Sequence, residues 1–293
     1  MSSEGSQRNN VFEWSVFAAQ TPTLFLHTPR GMSTAAASVI RAFNTRVRIR
    51  SQCSLLSTPS RHPTSRPSVQ GPELNSRPRR LVLLDRDGVI NLDVGSPGVL
   101  ALDDLFLISG AASAIAKLKG SDAIVCVVTN QTCVGKGLLP GSELKEIHSS
   151  MQELLVWQGG PGAVMDDIFV ATSGDQGTRL KPGPDMLVEA IEAWGSGENE
   201  RSVIVTMVGD SITDMQAAEA AGVTNKVLVG TGHGERLWRS LGRNVTFGRK
   251  NSVTSISLDK FDDRTMPALL PAKILPLTVC ADLDAAVKLI LDR

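Results

Sequence analysis

Leu81-Val82-Leu83-Leu84-Asp85-Arg86-Asp87-Gly88-Val89-Ile90-Asn91 decides the fold. Four apolar residues in a row, closed by turn-forming Asp and Gly, predict a buried strand of a parallel sheet. Asp85 and Asp87 follow two apart at the carboxyl end of that strand, the edge where open α/β sheets bind their ligands. Two carboxylates crowded beside a turning glycine make an anionic site that calls for a hard cation with oxygen ligands, such as Mg²⁺. Taken alone, the same residues also suit a polar loop after a strand.

The pattern repeats down the chain. Ala111–Lys119 carries Ile115 and Leu118 at helical spacing and stops at Gly120, a natural residue past a helix end. Ala123–Thr129 is a second apolar run, ending in Asn130 and Gln131. A glycine-bearing loop, Thr132–Gly137, leads to a helix that Ser142 can cap, with Leu144, Ile147, Met151, Leu154 and Leu155 on one face. Ile168–Thr172 predicts a third strand and Pro182–Trp194 a helix with Met186, Leu187, Ala190, Ile191 and Trp194 inward. Val203–Gly209 predicts a fourth strand, Asp214–Ala221 a small-residue helix closed by Gly222, and Lys226–Gly230 a fifth strand. Residues 234–272 have mixed periodicity and read as an insertion; Ile274–Val279 and Asp282–Leu291 add a last strand and a covering helix. Strands alternating with helices in this way specify an α/β domain, a doubly wound parallel sheet of the Rossmann-like kind, over residues 80–293.

Residues 1–79 differ in kind. Through residue 80 the chain holds eleven Arg, no Lys and three acids, a net +8, which leaves 19 basic and 27 acidic residues and a net −8 beyond it. The N-terminal stretch is rich in Ser, Thr, Pro and Arg, predicting a disordered basic leader. An acid-poor, Arg-rich leader has the composition of an organelle transit peptide, plastid or mitochondrial, and a basic tail with no address has it too. Without that address the body would be cytoplasmic. An acidic body speaks against nucleic acid as partner, and no window is apolar enough for a membrane span. The four cysteines have no C-x-x-C spacing and no zinc-like histidine partner.

The strand ends carry a consistent chemistry. Asp85 can attack phosphorus as a carboxylate nucleophile, and Asp87 can protonate the leaving alkoxide and later deprotonate water. Asp210 would join one Asp85 oxygen and the Asp87 backbone carbonyl as metal ligands, with Asp214 in support. Thr129 can donate to a phosphoryl oxygen, and Lys181 can neutralise the charge spread over those oxygens.

Asp85-x-Asp87-Gly88, then Thr129, then Lys181, then Gly209-Asp210 with Asp214 resembles the four motifs of the haloacid dehalogenase superfamily, in its aspartate-nucleophile phosphatase branch. Asp85-Arg-Asp-Gly-Val-Ile-Asn91, Thr129-Asn-Gln131 and Lys181-Pro-Gly-Pro-Asp-Met186 are similar to the heptose-bisphosphate and histidinol-phosphate phosphatases. The resemblance implies a Mg²⁺-dependent enzyme acting on a small phosphorylated substrate, a sugar bisphosphate such as a heptose bisphosphate, through an aspartyl-phosphate. Histidinol phosphate, a nucleic-acid 3′-phosphate and an inert member of the fold are the alternatives it leaves. Members usually carry a zinc loop of Cys and His before the Lys-Pro motif; Thr172–Arg179 here has neither, so no zinc is expected. The family's Arg before the lysine is Leu180 in this chain, with Arg179 one step earlier as a candidate for substrate. Asn130 and Lys136 are further candidates at the substrate mouth. The short span between Thr129 and Lys181 leaves no room for a large cap, so a capless, open site is expected. His233, in a partial glycine fingerprint, reads as a loop residue.

Overall fold

The computed structural model describes residues 78–172, 178–195, 202–244, 255–258 and 274–292. The expected leader lies outside them, except that Arg79 already opens the first strand. The elements are β1 (Arg79–Leu84), α1 (Ala111–Gly120), β2 (Ile124–Asn130), α2 (Thr132–Gly135), α3 (Gly141–Gly159), β3 (Asp167–Ala171), α4 (Asp185–Trp194), β4 (Val203–Gly209), α5 (Ile212–Ala220), β5 (Asn225–Val229), α6 (Glu235–Asn244), β6 (Ser255–Leu258), β7 (Leu277–Cys280) and α7 (Leu283–Asp292).

One sheet runs β3-β2-β1-β4-β5-β7-β6. All its pairings are parallel except β6 on β7, which puts an antiparallel strand at one edge. Successive side chains of a strand point to opposite faces, and β1 shows it. Val82 and Leu84 pack with Ile115, Leu118, Met151, Leu155 and Val287 of α1, α3 and α7. Leu81 and Leu83 pack with Met186, Leu187, Met215 and Ala217 of α4 and α5. All four β1 residues are fully buried, each stabilising the fold by roughly 1.5–3 kcal/mol. A strand covered on both faces needs apolar residues at every position, which is why the unbroken run in the sequence marks the middle of the sheet. The chain order reverses about β1, with β2 on one side and β4 on the other; this switch point is where such folds bind ligands.

Several boundaries differ from the sequence reading. Thr132–Gly135 is a short helix rather than a loop. Ser142 does not cap α3: Gly141 is already helical behind Pro140, whose extended backbone sets the entry, and no side chain caps it. Gly120 lies inside the last turn of α1, with Ser121 past it. α4 starts at Asp185, not Pro182, because Gly183 first turns tightly, its N–H bonding to the Leu180 carbonyl at 2.7 Å. α5 starts at Ile212, since Ser211 and Asp214 form a reciprocal capping box. That Ser-x-x-Asp signal stands in the sequence. The described part of the expected insertion holds α6 and β6; the remainder lies outside the described residues. Among the described residues between Thr129 and Lys181, the helices and the strand all belong to the sheet and its helical layers, with no separate cap.

Candidate active site

β1 delivers Asp85 to the switch point, its backbone N–H still bonded to the Val208 carbonyl of β4 at 2.9 Å. Opposite it stands Lys181, whose side chain is 2 % exposed. Its Nζ lies 2.9 Å from Asp85 Oδ1 and 2.6 Å from Asp214 Oδ1, and it donates to the Val128 carbonyl at 2.9 Å. The ammonium is thus tied to β1, β2 and α5 at once. Asn130 fixes the lysine's backbone: its amide donates to the Lys181 carbonyl and accepts from the Lys181 N–H, both at 3.0 Å.

Asp210, at the end of β4, is held in a tight backbone cradle. Gly88 has φ +78°, and a Cβ there would sit 1.9 Å from Asp210 Oδ2; a Cβ at Gly232, φ +54°, would sit 2.1 Å from the same oxygen. Only residues without a side chain allow this approach. The His233 N–H donates to that oxygen at 2.9 Å, and His233 Nδ1 lies 3.3 Å from it and 3.1 Å from Asp93 Oδ2. Thr231 donates to the Gly88 carbonyl at 2.5 Å, tying the two glycine turns together.

Asp87 turns towards its own neighbour. Arg86 is fully buried, and its Nη2 reaches Asp87 Oδ1 at 2.9 Å and Oδ2 at 2.8 Å, with Nε 3.2 Å from Oδ1. Asn91 donates to Asp87 Oδ1 at 2.8 Å. The Gln131 amide donates both to Asp87 Oδ2 at 3.0 Å and to Thr129 Oγ1 at 2.9 Å. The threonine hydroxyl therefore keeps its own proton for another acceptor.

The electrostatics follow from carboxylates collected away from water. Burial pushes Asp85 up to about 7 against the opposing pull of Lys181, with Asp214 and Asp210 adding repulsion. Burial and the Asp214 charge push Asp210 up to about 6, against the His233 contacts. Lys181 is held above the ordinary ammonium range: burial lowers it, and the Asp214 and Asp85 charges more than reverse that. His148 is driven down to about 3 by burial and the Arg86 charge.

A divalent ion fits this donor set. Asp85, Asp210 and Asp214 each present a carboxylate oxygen, all within 4.8 Å of one another. One ammonium does not balance three acids, and a divalent cation there would supply the positive charge that burial and mutual repulsion make favourable. Both Asp214 oxygens are already engaged, Oδ1 by Lys181 and Oδ2 by the Ser211 N–H and hydroxyl. Asp85 and Asp210 are therefore the freer ligands. A second group, Asp93, Asp210 and His233, is also close enough to hold an ion.

Of the residues singled out in the sequence, Asp85, Lys181, Asp210 and Asp214 form one cluster, and Gln131 links Asp87 to Thr129 beside it. The Asn130 amide is engaged at both ends by the Lys181 backbone, which fixes the lysine's position. Arg179 is turned to Glu189 of α4 and to the Val170 carbonyl, 3.1 Å from its Nη2. Lys136 stands exposed past α2. The sequence reading quoted Arg86, Asn91 and Gln131 within its motifs but gave them no role, passed over His148 and Asp93, and placed His233 in a loop without seeing that the loop closes on Asp210. The zinc-loop position includes residues 173–177, outside the described residues.

A family profile described as haloacid dehalogenase-like hydrolase matches residues 72–222. The D-glycero-beta-D-manno-heptose-1,7-bisphosphate 7-phosphatase of Pseudomonas putida is 37% identical over 158 residues, covering 54% of this chain and 86% of that one. The D-glycero-D-manno-heptose-1,7-bisphosphate 7-phosphatase of Thermosynechococcus vestitus is 36% identical over 173 residues, covering 55% and 83%. Among solved structures, the D,D-heptose 1,7-bisphosphate phosphatase of B. bronchiseptica, complexed with magnesium and phosphate, superimposes with a TM-score of 0.53 at 29% identity, covering 73% of this chain and 98% of that one. The chain belongs to the haloacid dehalogenase-like hydrolase family, and within it to the phosphoric monoester hydrolases. The relatives are those of the heptose-bisphosphate subfamily that the sequence motifs resemble.

Proposed function

We propose that this protein is a Mg²⁺-dependent phosphatase of a small sugar bisphosphate, with a heptose 1,7-bisphosphate as the leading substrate. The observation that carries the reading is Lys181 standing between Asp85 and Asp214 at the sheet edge where Asp210 also ends. The names of the relatives, and the magnesium and phosphate held by the B. bronchiseptica enzyme, support the substrate and the ion.

Asp85, Asp210 and the Asp87 backbone carbonyl would hold a magnesium ion, which when bound would supply positive charge for the phosphoryl oxygens. An Asp85 carboxylate oxygen attacks phosphorus in line, and the bond from phosphorus to the sugar oxygen breaks. Protonated Asp87 gives its proton to the departing alkoxide, leaving an aspartyl-phosphate on Asp85. Lys181 and the Thr129 hydroxyl face the charge spread over the transferring group. Water then attacks the aspartyl-phosphate, Asp87 takes its proton, and inorganic phosphate leaves with Asp85 restored. The acidic body is unsuited to a nucleic-acid backbone and poses no obstacle to a compact substrate neutralised locally.

Residues 80–293 incubated with heptose bisphosphate and Mg²⁺ are expected to release one equivalent of phosphate, and Asp85→Asn to lose nearly all of it. Turnover by the Asn variant at the wild-type rate rules out the nucleophile. Wild-type turnover of other sugar phosphates with heptose bisphosphate refused rules out the substrate alone.

A further inference from the structure

His148 has no part in the chemistry described so far, yet it is a buried, charge-neighbouring side chain one contact away from the acid/base. It sits on α3, 62 positions from Arg86, and its Nε2 lies 3.2 Å from Arg86 Nη1. A guanidinium carries donors only, so Nε2 accepts and the histidine proton resides on Nδ1. Arg86 thereby spends one arm on α3 and the other on both oxygens of Asp87.

The Asp87 oxygens are unequal as a result. Oδ1 takes Arg86 Nη2, Arg86 Nε and Asn91 Nδ2, at 2.9, 3.2 and 2.8 Å. Oδ2 takes Arg86 Nη2 at 2.8 Å and Gln131 Nε2 at 3.0 Å. Gln131 Nε2 is also the donor to Thr129 Oγ1, so Oδ2 is the oxygen on the Thr129 side. It is the less crowded one, with two donors against three.

We infer that His148, acting through Arg86, is a positioning residue for proton transfer: it locks the guanidinium so that Asp87 presents Oδ2 to the leaving oxygen. This rests on the reading of Asp87 as general acid. The buried guanidinium has His148 as its anchor on the helical layer; without it Nη1 loses that acceptor, and the fork shifts against Asp87 Oδ1 and Oδ2. The device serves protonation of the leaving group specifically. A substrate whose leaving group departs as a stable anion does not need it.

The test compares kcat/KM, which reports the steps through phosphoryl transfer to Asp85, on an alkyl substrate (a sugar phosphate) and an aryl one (p-nitrophenyl phosphate). His148→Leu is expected to lower kcat/KM on the sugar phosphate by on the order of 10-fold or more, with less than about a 3-fold change on the aryl substrate. His148→Gln, whose amide oxygen can accept from the guanidinium, is expected to restore most of the alkyl activity. Equal losses on both substrates, or no loss on either, overturn the inference. Asp87→Asn serves as the reference: if it shows no alkyl-selective loss, the general-acid reading itself fails. If it shows the split and His148→Leu does not, the positioning role alone fails. Circular dichroism establishes that each variant is folded. Should His148→Leu not fold, Arg86→Lys carries the test, because a point charge cannot span both Asp87 oxygens and His148; the same split is expected, and equal losses overturn the role.

Discussion

Lys181→Met removes the ammonium that Asp85 and Asp214 share while keeping the apolar stem. Lys181 Nζ is 2.9 Å from Asp85 and 2.6 Å from Asp214, so at an effective dielectric of ~20 each attraction is roughly 6 kcal/mol. Burying the ammonium costs several kcal/mol of that, and breaking such a buried pair from one side costs about 3–5 kcal/mol net. The wild-type and variant proteins, stripped of metal, are compared by urea unfolding at several pH values. The sign is fixed by the acids left behind. Without the lysine, Asp85 binds its proton more tightly still, above its already raised value of about 7. A raised carboxylate penalises the folded state fully above its folded pKa, and the penalty disappears below the unfolded value of about 4. The stability gap between the two proteins therefore widens from pH 5 to pH 8. Catalysis should fall by about 10²–10³ in kcat, as for loss of one charge-stabilising donor. A variant as stable as wild type at pH 8, or a gap that does not change with pH, refutes the idea that these charges are mutually dependent.

The same acids govern the response to metal. Asp85 and Asp210 are raised to about 7 and about 6, so in the metal-free protein stability is lost as pH rises from about 4 through those values. Mg²⁺ should therefore raise the unfolding midpoint more at pH 8 than at pH 5; equal shifts at both pH values contradict the ligand assignment. Gly88→Ala places a Cβ 1.9 Å from Asp210 Oδ2 at φ +78°, and Gly232 closes the retreat from the other side. The left-handed backbone adds roughly 1–2 kcal/mol for any residue with a Cβ. Calorimetric titration is expected to show Mg²⁺ affinity reduced at least about 10-fold, and unaltered affinity means that the glycine cradle does not place Asp210.

The sheet was legible because its central strands are covered on both faces, and such strands advertise themselves as unbroken apolar runs. Asp85, Lys181 and Asp210 were legible for a related reason: each ends or follows a recognisable run, so position along the strand predicts position in space. The β6 edge was not, because a four-residue antiparallel strand has too short a pattern to separate from a loop. Arg179 and Lys136 carry the charge a phosphate wants, but the sequence does not disclose that Glu189 and the Val170 carbonyl engage the former.

The residues left without a role in the sequence reading share a different property: they act on other side chains, and several of those partners are distant in sequence. His148 falls on the inward side of α3 among Leu144, Ile147 and Met151, where it looks like one polar interruption of an apolar face. Its meaning comes only from Arg86, 62 positions earlier. Asn130 was assigned to substrate because it sits beside Thr129 at a strand end, yet 51 residues later its amide finds the Lys181 backbone. A side chain that touches substrate must stand at the sheet edge, which local pattern reveals; one that orients it is subject to no such rule. The anion-rich cluster makes that orientation consequential, because between the 2.6 and 2.9 Å of its two ion pairs a unit-charge attraction changes by roughly 0.7 kcal/mol at an effective dielectric of ~20. The supporting contacts of Asn130, Gln131 and Arg86 are thus conditions for the charge balance on which Asp85 depends.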